Sequence, residues 1–258
     1  MRVYCVQTDI VWENKEANHD RVSELLSSIE ITPGSLVVLP EMFATGFSMN
    51  VDLVTDDSDN ATANFLSDIA SEYRVHVMAG LVSTDVDDKG KNQAVLINPD
   101  GTELLRYHKI HPFTFGEAQG YSAGSEVKVV ELGNFVFAPF ICYDLRFPEI
   151  FRTAAARGAN LMAVIANWPV ARIEHWVTLL KARAIENQCY MIGVNRVGDD
   201  PSLHHTGRSL VVAPSGDIVL DCGENEGIYF ADIDVEVVTE IRQRLPFLVD
   251  TRKDFVKW

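Results

Sequence analysis

Apolar residues along this chain recur in two spacings, which together predict alternating strands and helices. Short runs of β-branched and apolar residues predict strands at 3–8, 35–39, 75–82, 104–108, 127–131, 135–141, 161–166 and 191–197. Apolar positions three or four residues apart predict helices between them, around residues 22–29, 65–73, 148–157 and 173–184. Alternation of this kind is typical of a layered α/β protein.

Two turn motifs argue against a purely parallel arrangement of these strands. Asn98-Pro99-Asp100-Gly101 and Pro214-Ser215-Gly216-Asp217 each read as a tight connection between neighbouring antiparallel strands. A mixed, sandwich-like α/β architecture fits this pattern best. No linker, charge block or repeat divides the sequence, so we expect one domain over residues 1–258, with residues 239–258 as a C-terminal tail.

Charge excludes two classes of partner. The chain has 22 Lys and Arg against 37 Asp and Glu, a formal net charge of -15. A field of that sign repels phosphate backbones and anionic lipid, so neither nucleic acid nor a membrane is expected as a partner. The first residues lack the pattern of a signal peptide, and the longest apolar run, residues 135–143, is too short to span a bilayer. We therefore expect a cytoplasmic protein.

The spacing of cysteines and histidines argues against disulfide bonds and against a metal-binding site. The four cysteines, Cys5, Cys142, Cys189 and Cys222, lie far apart without a Cys-x-x-Cys pair, and free thiols are expected. No histidine pair shows the spacing of a metal site. Phosphate-loop, dinucleotide and Gly-x-Ser-x-Gly motifs are also missing, which removes the common kinase, dehydrogenase and serine esterase interpretations.

Three residues able to do chemistry follow predicted strands: Glu41, Lys109 and Cys142. Strand ends are where α/β proteins usually assemble sites. Each residue alone also has a structural interpretation, because Cys142 could fill the core, Glu41 could be solvated and Lys109 could be a surface cation. Together, a thiol, a carboxylate and an ammonium could hydrolyse an amide.

The residues around these three positions resemble a known family. The strings are Leu39-Pro40-Glu41-Met42-Phe43, Tyr107-His108-Lys109-Ile110-His111 and Phe140-Ile141-Cys142-Tyr143-Asp144. In this order they resemble the nitrilase, or carbon–nitrogen hydrolase, superfamily, and the resemblance runs from Arg2 to about Val238. It implies an α-β-β-α sandwich with mixed sheets, a triad of Glu41, Lys109 and Cys142, no cofactor, and a homodimer or larger homo-oligomer. The tail, including Phe255-Val256-Lys257-Trp258, offers apolar surface that a partner subunit could cover.

Further site residues are suggested with less specific signals. Glu117 is similar to a second glutamate that orients the lysine and substrate in many members, although an exposed loop carboxylate is the alternative. The backbone N–H of Tyr143, on a sharp strand-to-helix turn, is assigned as an oxyanion donor. Phe113 and Trp168 are pocket walls by resemblance, or core aromatics. Arg146 would bind a substrate carboxylate, or form an ion pair with nearby Asp144 or Glu149.

The residues after the nucleophile favour one branch of the family. Tyr143-Asp144-Leu145-Arg146-Phe147-Pro148 and Asn167-Trp168-Pro169 look like the omega-amidase branch, which implies hydrolysis of monoamides such as 2-oxoglutaramate or 2-oxosuccinamate to acid and ammonia. The sequence departs from relatives at His205-Thr206-Gly207-Arg208-Ser209, where Tyr-x-Gly-x-Ser is common. The alternatives are a nitrile or N-carbamoyl hydrolase with the same triad, and a non-catalytic binding protein on this fold.

Two electrostatic expectations follow from this chemistry. Burial in a cleft should raise the pKa of Glu41 toward the operating range of a general base. The helix predicted to begin near Pro148 should favour the thiolate of Cys142.

Overall fold

Two mixed six-stranded sheets frame the chain in a computed structural model that describes residues 1–56 and 60–252. The strands are β1 (Arg2–Gln7), β2 (Leu36–Val38), β3 (His76–Thr84), β4 (Gly90–Ile97), β5 (Glu103–His108), β6 (Val130–Leu132), β7 (Phe135–Ile141), β8 (Leu161–Ala166), β9 (Tyr190–Asn195), β10 (Val197–Asp199), β11 (His204–Thr206), β12 (Leu210–Val212), β13 (Ile218–Asp221) and β14 (Gly227–Asp232). The helices are α1 (Lys15–Ser27), α2 (Val51–Val54), α3 (Ala61–Tyr73), α4 (Pro148–Ala156), α5 (Ile173–Asn187) and α6 (Val235–Arg244).

Both sheets are built to the same plan. The first has the order β14-β1-β2-β3-β4-β5, and the second has β6-β7-β8-β9-β12-β13. In each, three central strands run parallel and the remaining pairings are antiparallel. The strands β10 and β11 form a separate antiparallel hairpin. The predicted mixed sheets are therefore confirmed, and both predicted turns connect antiparallel strands.

Alternating side chains sort into three apolar layers. In β1, Val3 and Cys5 join a cluster that also contains Phe137 of β7, so these residues lie between the two sheets. The intervening Tyr4 and Val6 pack with side chains of α1 and α3 on the outer face of the first sheet. Helices α4 and α5 cover the outer face of the second sheet. This is the expected α-β-β-α sandwich, which is confirmed.

The predicted elements differ from the observed ones mainly at their ends. The strand predicted at 127–131 is β6, which begins only at Val130, and the run predicted at 191–197 divides into β9 and β10. The division falls at Arg196, whose buried guanidinium donates to the carbonyls of Ile10 and Val197 and so turns the chain away from the sheet. Neither α2 nor α6 is predicted, because each buries a single side chain and leaves no helical stripe.

The start of the predicted tail packs against its own chain. Arg242 of α6 donates to the carbonyl oxygens of Gln188 and Ala159 at 3.0 and 2.9 Å. A short 3₁₀ turn, Phe247–Asp250, follows. The terminal Phe255-Val256-Lys257-Trp258 lies outside the described residues, so its packing on a partner stays a prediction. Within residues 1–56 and 60–252, none of the helices has the length and apolar character needed to cross a membrane.

Candidate active site

The three residues singled out in the sequence meet where the two sheets face each other. Glu41 follows β2 and Lys109 follows β5 of the first sheet, whereas Cys142 follows β7 of the second. The side chains of Glu41 and Lys109 are 0% and 1% exposed, and Cys142 lines a cleft beside them. The structure therefore brings all three together, and neither Glu41 nor Lys109 is a solvated surface residue.

A glycine on the neighbouring strand leaves room for the backbone that carries Glu41. A Cβ on Gly80 of β3 would lie 2.4 Å from the amide nitrogen of Met42 and 2.7 Å from the Cα of Glu41. A side chain at this position would therefore clash with the backbone of Glu41 and Met42, which would have to shift. The chain then turns sharply, with Met42 at a φ of +46°.

One hydrogen-bonded cluster fixes the charged side chains. Lys109 Nζ donates to Glu41 Oε1 at 2.8 Å and to Glu117 Oε2 at 2.6 Å. Asn92 Nδ2 lies between the same carboxylates and donates to Glu41 Oε1 at 2.7 Å and to Glu117 Oε1 at 2.8 Å. Glu117 also accepts from the backbone N–H of Phe113 at 2.7 Å. Glu117 is thus a buried member of the cluster and not an exposed loop carboxylate.

The second oxygen of Glu41 is held from the other sheet. The backbone N–H of Asn167, just after β8, donates to Glu41 Oε2 at 2.9 Å, and its side-chain amide donates to the Glu41 carbonyl at 2.7 Å. Both carboxylate oxygens therefore have fixed partners. A carboxylate held in this way keeps one orientation toward the thiol.

The turn that carries the nucleophile is tied down by a buried aspartate. Cys142 has a φ of +44° and begins a 3₁₀ helix, Cys142–Arg146. Asp144 accepts hydrogen bonds from the hydroxyl of Tyr107 at 2.8 Å and from the backbone N–H groups of Ile141 and His111 at 3.1 and 3.0 Å. A strained backbone at a reactive residue persists only where the surroundings enforce it. Asp144 supplies much of that enforcement by joining the turn to β5.

The electrostatic expectations for the base and the nucleophile are wrong. Burial alone would raise the pKa of Glu41, but the Lys109 charge and the hydrogen bonds from Lys109, Asn167 and Asn92 outweigh it and lower the pKa. The pKa of Cys142 is raised well above its usual range by burial and by the Glu41 carboxylate, against the lowering effect of Lys109. A 3₁₀ helix also separates Cys142 from α4. The resting pair is therefore a thiol beside a carboxylate.

The other two charged groups of the cluster are the Lys109 ammonium and the Glu117 carboxyl group. Burial would lower the pKa of Lys109, but Glu117 and Glu41 together raise it above its usual value. Burial raises the pKa of Glu117, Lys109 opposes this, and the Glu41 charge adds to the rise. Lys109 is accordingly a permanent cation. Within the described residues, no group of three or more His, Cys, Asp and Glu side chains is arranged to hold a metal ion.

A cleft opens at Cys142, with Phe47 and Pro169 among its lining residues. Tyr143 lines the cleft beside the nucleophile, and the ring of Phe113 meets that of Tyr143 edge-on with centroids 5.1 Å apart. Trp168 lines the cleft as well, held by a hydrogen bond from its Nε1 to the carbonyl of Arg172 at 2.7 Å. Phe113 and Trp168 are cleft walls.

Arg146 faces the cleft, and no carboxylate among residues 1–56 and 60–252 pairs with it. Its guanidinium lies 4.7 Å from the centroid of the Trp168 ring, and its nearest polar partner is Nδ1 of His175, at 3.4 Å. Asp144 is occupied by Tyr107 and His111, and no ion pair joins Arg146 to Glu149 in the described chain. The ion-pair interpretation of Arg146 is therefore wrong, and its charge is available to a ligand.

Several residues of the site escape sequence reasoning. Asn92, Asn167 and Asp144 are polar residues in or beside buried strands, and a buried polar residue needs a partner. That signal is weak, since their partners are distant in sequence. Arg172 and His205 also line the cleft. His205 falls in the string where the sequence departs from its relatives, which was a usable signal.

Comparisons with known proteins agree with this geometry. The profile of the family described as "Carbon-nitrogen hydrolase" matches residues 2–243. An omega-amidase of Yersinia enterocolitica is 38% identical over 98% of this chain and 97% of its own, and a 2-oxoglutaramate amidase of Bacillus subtilis is 34% identical over 98% of each chain. A CN-hydrolase superfamily protein of Xanthomonas campestris, solved with an arsenic adduct in its active site, is 33% identical, covers 98% of this chain and 97% of its own, and superposes with a TM-score of 0.91.

Proposed function

The chain belongs to the carbon-nitrogen hydrolase family, and from this premise we propose that it hydrolyses the terminal amide of small carboxylic acid monoamides to acid and ammonia. The proposed substrates are of the omega-amidase type, such as 2-oxoglutaramate or 2-oxosuccinamate. The observation that carries the proposal is the contact of Lys109 with Glu41 and Glu117 beside the thiol of Cys142. The names of the Yersinia and Bacillus relatives support the substrate class.

In the first step, the sulfur of Cys142 attacks the amide carbonyl carbon. Because the resting thiol is protonated and Glu41 is ionised, the thiol proton passes to Glu41 as the carbon–sulfur bond forms. This order avoids a free thiolate, which two nearby carboxylates would destabilise. Glu41 then returns the proton to the leaving nitrogen, and ammonia departs with cleavage of the carbon–nitrogen bond.

Attack places negative charge on the carbonyl oxygen, which needs fixed donors. An ammonium group has three N–H donors, and Lys109 uses two on Glu41 and Glu117, so one remains for this oxygen. The backbone N–H of Tyr143 is the proposed second donor, since it follows the nucleophile on the turn held by Asp144. Neither donor needs to move when the charge appears.

Release of ammonia leaves a thioester on Cys142. Glu41 takes a proton from water, the hydroxide attacks the thioester carbon, and the acid departs as the proton returns to sulfur. One base thus serves both halves of the reaction, and no cofactor is required. Glu117 and Asn92 hold Lys109 and Glu41 in place throughout.

Arg146 supplies the proposed contact for the substrate carboxylate. Its guanidinium lines the cleft and stacks on Trp168, which restricts its orientation. A guanidinium can bind a carboxylate through two parallel hydrogen bonds. Phe113 and Trp168 would enclose the short carbon chain between the amide and the carboxylate.

An ammonia-release screen tests this function. Monoamides, nitriles and N-carbamoyl amino acids are offered to the wild-type chain and to Cys142→Ala, with circular dichroism as the check on folding. We expect ammonia and acid from 2-oxo monoamides, and none from the folded variant. Consumption of nitriles or release of carbon dioxide from carbamoyl compounds, without amide turnover, would favour the nitrile or carbamoyl hydrolase instead. Binding without any turnover would favour the non-catalytic protein.

We also propose that the chain acts as a cytoplasmic homodimer or larger homo-oligomer built from one domain. Phe247 and Val249 support the oligomer, since they are 57% and 81% exposed within the predicted tail. Light scattering after size exclusion checks this, and a monomer at micromolar concentration would contradict it.

A further inference from the structure

His205 forms part of the cleft wall contributed by the β10–β11 hairpin. It is paired with Gly198 in the register of the hairpin, and β11 packs against the segment Val170–Arg172. The loop after it is fixed, because Asn195 Nδ2 donates to the carbonyl of Gly207 at 2.9 Å. The backbone that carries this ring is therefore held in place beside the cleft.

The ring nitrogens of His205 have no partner with hydrogen-bond distance and angle in the described part of the chain, although the Gly198 carbonyl lies near enough to favour the protonated ring. The residue is 1% exposed, so bulk water does not take their place. The nearest carboxylate oxygen, Oδ2 of Asp200, lies 3.8 Å from Nε2, which exceeds hydrogen-bond distance. Oδ1 of Asp200 is already used by the backbone N–H groups of Ser202 and Leu203. A buried donor without a partner is costly, and a ligand that accepts from it removes that cost.

The ring is neutral at ordinary pH. Burial, together with nearby Arg196 and His204, lowers the pKa of His205 to about 4 against the raising effects of Asp200 and the Gly198 carbonyl. A neutral imidazole offers one N–H donor and one acceptor nitrogen. The charge of Asp200 favours the tautomer with the proton on Nε2.

The groups around His205 are suited to different parts of the substrate. Arg146 and Arg172 both line the cleft and match a carboxylate. In a 2-oxo monoamide the atom next to the carboxylate carries a ketone oxygen, which accepts hydrogen bonds and donates none. A neutral donor without a partner fits such an oxygen, and a positive charge is not needed there.

Resting on the function proposed above, we propose that His205 is a specificity-determining residue whose ring N–H donates a hydrogen bond to the 2-oxo oxygen of the substrate. A site with a buried donor rejects the analogue that lacks the acceptor. Because the analogue leaves one buried donor unpaired, the wild-type chain should prefer 2-oxo monoamides to their analogues without the 2-oxo group by about 10- to 100-fold in kcat/KM.

The test compares 2-oxosuccinamate with succinamate, and 2-oxoglutaramate with glutaramate, in four proteins. These are the wild type, His205→Phe, His205→Gln and the matched control His204→Phe, whose ring is exposed on the same strand. We expect the preference to fall to within about threefold of unity in His205→Phe, to return in part in His205→Gln, and to stay unchanged in His204→Phe. The loss should be confined to the 2-oxo substrates.

Four results would decide against the proposal. They are equal losses for both members of a pair in His205→Phe, no preference in the wild type, a wild-type preference for the member without the 2-oxo group, and a fully retained preference in His205→Phe. If His205→Phe does not fold, the wild-type preference and its reduction in His205→Gln decide the matter. Failure of the proposed function has a different signature, because the wild type would then hydrolyse neither member of either pair.

Discussion

Replacing Lys109 with methionine removes the only charge that separates two buried carboxylates in the described cluster. Lys109 Nζ lies 2.8 Å from Glu41 and 2.6 Å from Glu117, and all three side chains are at most 1% exposed. Methionine is close to lysine in length and fills the space without the charge. Loss of one partner from a buried ion pair costs about 3–5 kcal/mol. Loss of an oxyanion donor costs a further factor of about 10²–10³ in kcat.

The stability loss should depend on pH in a defined direction. In the wild type the pKa of Glu41 lies below its ordinary value of 4.5, so its stabilising effect is present above that value and is lost as the pH falls. Without Lys109, burial and mutual repulsion raise the folded-state pKa of the carboxylates above 4.5. Their contribution to stability then disappears as the pH rises. The deficit of Lys109→Met relative to wild type should therefore be small near pH 4.5 and grow toward pH 8.

Urea unfolding at pH 5 and pH 8 measures this deficit, with ammonia release measured in parallel. Lys89→Met is the matched control, because it makes the same substitution at an exposed position in a loop. The control should unfold like the wild type at both pH values. A deficit for Lys109→Met below about 1 kcal/mol at pH 8, or one equal at both pH values, would refute the electrostatic reasoning. So would an unchanged kcat.

Three further substitutions test separate parts of the site. Glu41→Gln should lower ammonia release by about 10²–10⁴-fold. It should also lower the pKa of the Cys142 thiol, because the carboxylate that raises this pKa is gone. The pH dependence of thiol alkylation measures the pKa, and an unchanged or higher value would contradict the prediction. Arg146→Gln should raise KM by about 10-fold or more for a monoamide with a carboxylate but not for an uncharged amide. Equal effects on both substrates would show that Arg146 does not bind the substrate carboxylate. Tyr107→Phe deletes a hydrogen bond to buried Asp144, so the free energy of unfolding should fall by about 1.5–3 kcal/mol. Urea titrations measure this, and an unchanged value would show that the turn at Cys142 does not depend on this hydrogen bond.

Sequence patterns predict the framework of this protein well where burial is simple. The strand β8 is buried along its whole length, so its apolar run at residues 161–166 marks both of its ends. The run at 191–197 is equally apolar, yet the chain leaves the sheet at Arg196 because that guanidinium bonds to the carbonyl of Ile10, far away in sequence. Short elements such as α2 carry too few buried positions to show a period.

The three reacting residues could be named from the sequence, but their protonation states could not. The strings around Glu41, Lys109 and Cys142 identify the family, whereas the sign of each pKa shift depends on distances between residues that are far apart in the chain. Burial alone suggests a raised pKa for Glu41. The charge of Lys109 and the hydrogen bonds from Lys109, Asn167 and Asn92 reverse it, and the nearest of these residues in sequence, Asn92, is 51 residues away. The fixed turn at Cys142 likewise depends on Asp144 and its partner 37 residues before it.

The central claim is that Cys142 carries the acyl group between release of ammonia and release of acid. Acid quenching of the wild-type chain during turnover of 2-oxoglutaramate, followed by peptide mass spectrometry, tests it most directly. The account predicts that the peptide containing Cys142 gains the mass of the substrate less ammonia, and that Cys142→Ala gains nothing and releases no ammonia. An acyl group on a different residue, or continued ammonia release by the folded variant, would contradict it.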